Sequence, residues 1–261
     1  MGAQLEGKRG LVIGVANERS IAWGIAKACA DAGAELAFTF QGENLERRVR
    51  PLAESVGSNF VEPADVTDEA SLDAVFEKLG AAWDRLDFLV HAVAYSDKEE
   101  LTGRFINTSR ANFLNSMDIS CYSLIELSRR AAPMMTDGGT LLTLTFQGSN
   151  RVMPNYNVMG VAKAALESSV RYLASDLGPQ GIRVNAISPG PMKTLAGAAI
   201  GGARKTFRAT EAAAPMRSNA TLEAVGGTAV YLASDAGAFT TGEIVHVDGG
   251  YHAVGLSNGE E

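Results

Sequence analysis

A phenol and an ammonium group stand seven residues apart in "NYNVMGVAKAALE", at Tyr156 and Lys163. A tyrosine can donate a hydrogen bond or a proton to an oxygen that gathers negative charge, and a lysine can hold a sugar hydroxyl. On a continuous helix, seven residues make two turns, roughly 10.5 Å, and return to the same face. The spacing therefore allows the lysine to grip a bound cofactor while the tyrosine reaches further out, over a substrate.

The second stretch that could do chemistry is "GVANERSIAWG", directly after the first apolar run. A glycine turn between strand and helix lets backbone approach a pyrophosphate, and the helix N-terminus adds N–H groups and a positive dipole end. The pattern is not G-x-G-x-x-G: Gly14 and Gly24 are the glycines, and Ser20-Ile21-Ala22 opens the helix. A tight turn without a ligand would read the same way; its place after the first strand favours the nucleotide. At the tip of the second strand an acid binds ribose hydroxyls, whereas an arginine suits a 2′-phosphate. Here "FTFQGE" ends in neutral Gln41, which favours NAD(H) and leaves NADP(H) open. Arg47 and Arg48 are either a solvated helix face or a phosphate contact. Asp65-Val66, closing the third strand, either meets an adenine ring or merely turns the chain. In "VHAVA", small Ala92 and Ala94 on either side of Val93 let backbone lie close to a cofactor. His91 reads as a hydrogen-bonded core histidine. His246 and His252 have no metal-ligand spacing with either cysteine, so no metal is expected.

Alternating strands and helices must position these groups. Apolar runs predict strands over residues 10–15, 35–41, 59–67, 86–94, 139–146, 182–188 and 242–250. Helical patterns fill 21–33, 44–57, 69–84, 112–132 and the stretch from 155. Strands joined by such helices give right-handed crossovers and a doubly wound parallel sheet, a Rossmann-type α/β fold covered on both faces. A chain of 261 residues fits one such domain, with residues 192–210 as a substrate-binding lid. The net charge of -7 offers no basic face to a nucleic acid. Cys29 and Cys121 lie in apolar helical contexts and read as buried free thiols. No apolar run approaches the length of a membrane span, and a cytoplasmic location is expected.

Taken together, "GVANERSIAWGIA", "LLTLTFQGSNRVMPNYNVMGVAKAALE", "RYLASDLGPQGIRVNAISPGP" and "TGEIVHVDGGY" resemble the enoyl-acyl-carrier-protein reductases, over nearly the whole chain. These are a divergent branch of the short-chain dehydrogenase/reductases. The commoner short-chain spacing is Tyr-x-x-x-Lys, but Met159 stands four residues before Lys163, and the longer spacing is specific to this branch. The resemblance implies reduction of the trans-2 double bond of an acyl-carrier-protein-linked enoyl thioester in fatty acid synthesis, by a homotetramer using NAD(P)H. It implies Tyr156 and Lys163 as the catalytic pair. It implies a cofactor wall of Gly14, Ser20, Ile21, Gln41, Asp65, Val66, Ala92, Val93, Lys163, Met192 and Thr194. Ala94, Leu101, Phe146, Tyr156, Met159, Pro191 and Ile200 would line the substrate pocket. The long spacing then has a chemical reason. Ketone reduction needs the donor at the carbon that receives hydride. Enoyl reduction places hydride on the β-carbon and negative charge on the thioester oxygen three atoms away, so the donor must stand further out.

The chain departs from this pattern at Phe146, where members carry a second tyrosine ten residues before the first, and at Ala203, where a large aromatic is frequent. "ISPGP" replaces a Ser-Ala-Gly-Pro version. Two other readings stay open: a short-chain dehydrogenase acting on a ketone or alcohol, and a catalytically weak nucleotide-binding paralogue. Lys193, Arg204, Lys205 and Arg208 form either a basic rim for an acidic carrier protein or a solvated helix face. Residues 162–177 and the C-terminal "GEIVHVDGGYHAVG" are expected at tetramer interfaces.

Overall fold

The computed structural model describes residues 4–194 and 202–255. Within them, seven parallel strands lie in the order β3-β2-β1-β4-β5-β6-β7. They are β1 (Arg9–Ile13), β2 (Glu35–Phe40), β3 (Phe60–Pro63), β4 (Phe88–His91), β5 (Gly139–Leu144), β6 (Ile182–Pro189) and β7 (Ile244–Val247). The order reverses between β1 and β4, which opens a crevice beyond the carboxyl ends of those strands. Successive strand residues point to opposite faces. Leu11, Ile13, Leu89 and Val184 enter one apolar core, while Val12, Phe88, Val90 and Ile187 enter the other. Both faces are dry, which is why the strands read as continuous apolar runs.

The first half follows the expected alternation: α1 (Ile21–Asp31), α2 (Glu43–Ser55) and α3 (Glu69–Ala82). The single helix expected over residues 112–132 is instead α4 (Arg110–Met117), a π-helical turn at Asp118–Tyr122, and α5 (Ser123–Ala131). The wider turn brings two serines onto the end of β4. The hydroxyl of Ser120 bonds both the backbone N–H and the carbonyl of Tyr95, and Ser123 Oγ lies 2.8 Å from His91 Nε2. With Thr143 on its other nitrogen, His91 is the buried, bonded histidine expected, and burial lowers its pKa to about 3.

After β5 come α6 (Asn157–Leu177), α7 (Ala203–Ala213) and α8 (Leu222–Ala233). Sequence reading passed over α8, although Thr221 caps it by accepting from the N–H of Ala224. This helix supplies the crossover from β6 to β7 and packs on α1. Gly226 meets the backbone of Gly24 so closely that a Cβ on Gly226 would lie 2.8 Å from the Gly24 carbonyl oxygen. Gly24 falls within the helix expected over residues 21–33. It sits inside α1 and lets a second helix approach. Cys29 and Cys121 are buried and free. Among the described residues, no helix is long and apolar enough to cross a membrane.

Candidate active site

The strand ends collect most of the residues singled out above. Gly14 follows β1 with φ +107, and a Cβ there would stand 2.2 Å from the carbonyl oxygen of Ala92, just past β4. Only glycine fits, so the turn leaves β1 flush against the neighbouring strand end. Ser20 is the N-cap of α1, its Oγ held by the carbonyl of Asn17 at 2.6 Å. Ile21 opens the helix; the N–H of Trp23 donates to the Ser20 carbonyl at 3.0 Å, while those of Ile21 and Ala22 have no intrahelical acceptor. A turn that starts on a glycine and ends at a helix N-terminus suits a pyrophosphate.

Gln41 and Asp65, from the ends of β2 and β3, meet: Gln41 Nε2 donates to Asp65 Oδ2 at 2.9 Å. The other carboxylate oxygen accepts from Thr67 N–H and Thr67 Oγ1 at 2.9 and 2.7 Å. These bonds, Thr67 N–H first, hold Asp65 below the usual carboxylate range. The sequence assigned the two residues separate tasks; the structure makes Asp65 the partner that orients Gln41. Val66 and Val93 pack against the core on one side of the crevice, Ala92 against the core on the other. Arg47 is exposed and pairs along its helix with Glu43, the solvated-face alternative.

Tyr156 does not lie on a helical turn, as the spacing suggested. It caps α6 with φ -120 and ψ -15, after Asn155 in the left-handed region at φ +58. That kink lets its side chain turn into an apolar cluster with Leu101, Met159, Val158 and Ala162, against which Phe146 packs. The Phe146 and Tyr156 rings meet edge-on, 5.1 Å between centroids. Tyr156 is only 7% exposed, and burial, then the charge of Glu167, pushes its phenol above the ordinary value. It therefore keeps its proton and can donate. Lys163 is also buried, and its Nζ donates to the carbonyl of Leu144, the last residue of β5, at 2.7 Å. Burial lowers its pKa to about 8, against the raising influence of Cys121 and Glu167.

A protonated phenol buried in an apolar cluster, with a buried lysine seven residues on and a crevice at the strand ends, is compatible with a nucleotide-assisted reduction. A family model described as Enoyl-(Acyl carrier protein) reductase matches residues 14–252. The chain belongs to the enoyl-acyl-carrier-protein reductase family. A Rhizobium meliloti protein named enoyl-[acyl-carrier-protein] reductase [NADH] 1 is 57% identical over 252 residues, 97% of this chain and 93% of its own. The crystal structure of FabI from Candidatus Liberibacter asiaticus matches with a TM-score of 0.97 and 50% identity, covering 99% of this chain and 100% of that one. The enoyl-acyl-carrier-protein reductase of Anaplasma phagocytophilum, solved in complex with NAD, matches at 0.95 and 52%, covering 100% and 97%.

Within this reductase fold the remaining expected site residues fall as follows. Leu101, Phe146, Tyr156 and Met159 come together in one apolar cluster. Ala94 is exposed beyond β4. Pro191 and Met192 follow β6, half-buried, and Thr194 N–H bonds the Met192 carbonyl at 2.9 Å. Ile200 lies outside the described residues, as does part of the lid expected over 192–210.

Sequence reading missed Asn157. Its Nδ2 donates to the carbonyls of Glu100 and Thr102 at 3.1 and 3.3 Å, tying the loop that carries Leu101 to the start of α6. Its place next to Tyr156 was the available signal. On α7, Arg204, Lys205 and Arg208 are exposed and line one open hollow with Ala209. Lys193 turns aside, with Nζ 4.8 Å from the Phe207 ring centroid.

Proposed function

We propose that this chain reduces the trans-2 double bond of an acyl-carrier-protein-linked enoyl thioester with NADH, in cytoplasmic fatty acid synthesis. The observation that carries the reading is Tyr156: a buried, protonated donor set ahead of α6 in an apolar pocket, a full turn beyond Met159. In this reading Gly14, Ser20 and Ile21 receive the pyrophosphate, Asp65 and Val66 border the adenine, and Ala92, Val93, Met192 and Thr194 wall the nicotinamide end. Gln41, held by Asp65, presents its amide oxygen to a ribose hydroxyl. A carboxylate within bonding distance of Gln41 would repel a 2′-phosphate, which supports NADH over NADPH. Bound NADH would supply the hydride for the β-carbon. Lys163 holds the nicotinamide ribose, and the Tyr156 hydroxyl donates to the thioester oxygen as charge gathers there. Leu101, Phe146 and Met159, with Ala94 and Pro191 at the rim, exclude water from the acyl chain. Phe146 keeps the packing surface of the family's second tyrosine without its hydroxyl.

The exposed cations Arg204, Lys205 and Arg208 favour the rim reading, since a carrier protein is acidic and the rest of this chain is too. Turnover tests both levels. Crotonyl thioester should be reduced with NADH, and acetoacetyl thioester should not; the reverse preference would sink the enoyl reading. Reversing the charge of Arg204 and Lys205 should raise KM for carrier-linked substrate much more than for the coenzyme A thioester. Equal effects would remove the rim.

A homotetramer fits the surface. Tyr172 and Val161 on α6, Leu114 on α4 and Ile125 on α5 expose apolar side chains on helices of one half of the fold, and Phe239 stands fully exposed before β7. Light scattering at micromolar concentration should give four times the chain mass, and a stable monomer would contradict this.

A further inference from the structure

Three consecutive residues at the end of β5 each engage a different residue in or before α6. Leu144 accepts from Lys163 through its carbonyl at 2.7 Å. Thr145 donates through Oγ1 to Glu167 Oε1 at 2.6 Å. Phe146 leans its ring on Tyr156. Lys163 and Glu167 lie four residues apart on α6, one above the other on the same face. Thr145 is itself fixed to the sheet, its N–H bonded to the carbonyl of Ile187 at 2.9 Å. The half-buried carboxylate of Glu167 is thus pinned beside a buried ammonium group by a hydrogen bond from the neighbouring strand.

We propose that Glu167 is a positioning residue of this site: anchored by Thr145, it holds the end of β5 against α6 and keeps Lys163 an ammonium ion able to grip the cofactor ribose. The proposal rests on the reading of Lys163 given above. A lone buried ammonium is costly and sheds its proton unless an opposite charge stands near. Of the other titratable groups that face Lys163, Cys121 also favours the ammonium form, and the rest carry no negative charge. His91, on β4, is fully buried and neutral. Burial raises the Cys121 thiol, on the π turn, and Tyr156, ahead of α6, keeps its proton. His246, on β7, faces Glu167 and is held below its ordinary value mainly by burial.

The test is NADH affinity, read by fluorescence titration from about pH 6 to about pH 10, with melting temperature alongside. Lys163 has its pKa depressed, to about 8, so affinity should be level below that value and fall as pH rises through it. Glu167→Gln keeps an acceptor for Thr145 but removes the charge, and should move the fall about one pH unit lower. Glu167→Asp should recover most of that shift. Thr145→Val, which frees the carboxylate without neutralising it, should move the fall in the same direction by less. A purely structural role would lower the melting temperature of these variants and leave the midpoint in place. An unmoved midpoint in both Glu167→Gln and Thr145→Val overturns the proposal. Lys163→Met should abolish the alkaline fall; if the fall survives there, Lys163 is not the group that grips the cofactor, and this proposal goes with it. Failure of the wild-type chain to turn over enoyl thioesters would sink the substrate reading alone, because the titration needs no substrate.

Discussion

Replacing Tyr156 with phenylalanine should lower kcat on an enoyl thioester by about 10²–10³, roughly 2.7–4 kcal/mol of lost transition-state stabilisation. NADH affinity should stay within about twofold, since the hydroxyl is removed and the ring remains against Phe146 and Leu101. The size of the loss follows from burial. The phenol sits among Leu101, Met159, Val158 and Ala162, where water has little room to replace the missing donor. The same burial fixes the sign of the pH dependence. A donor must be protonated, and burial raises the pKa of this one, so kcat should not climb as tyrosinate forms. Steady-state kinetics with saturating NADH would check both points. Full kcat in the phenylalanine variant would mean that the oxyanion is stabilised elsewhere.

A methyl group on Gly148 should do nearly as much harm by a different route. A Cβ there would lie 2.3 Å from Tyr156 Cδ1 and 2.7 Å from Cε1, and Gly148 is already backed by Gly160. Because backbone blocks the other side, the Tyr156 ring must give way. Displacing a catalytic group by about 1 Å can cost on the order of 10²-fold. Gly148→Ala should therefore cut kcat by about that factor while NADH affinity, which depends on other strand ends, holds. Overpacking of this kind also costs about 1–3 kcal/mol of stability, so the melting temperature should fall as well. If kcat stays within about twofold of wild type, Tyr156 has more freedom than its packing implies.

How much of this was legible beforehand depends on what carries the information. The strands show in the sequence because both faces of the sheet are apolar, and the residues past their ends then follow from chain order alone. Gly14, Gln41, Asp65 and Ala92 were placed past strand ends in that way. Tyr156 was found by type and spacing, yet placed on a helix it only caps, since a left-handed Asn155 has no clear sequence mark. The helix that Gly24 admits was missed because a glycine near a phosphate turn looks the same whether it faces a ligand or another helix. Glu167 and Thr145 were invisible for a similar reason. Their bond joins α6 to β5 across 22 positions of chain and has no periodicity. The seam between α1 and α8 lies in the same blind spot, since α8 was not read as an element at all.

That seam has a consequence for how the protein comes into being. The first strand, turn and helix, proposed above as the diphosphate cradle, are made before the other six strands. The helix that covers one flank of α1 emerges roughly 200 residues later, a separation that delays closure of the contact. Gly24 and Ala28, which Gly226 covers in the finished fold, have no such cover before then. The first helix is therefore among the last elements to gain all its contacts. A nascent chain stalled before residue 222 should carry the whole diphosphate cradle and still hold the dinucleotide poorly.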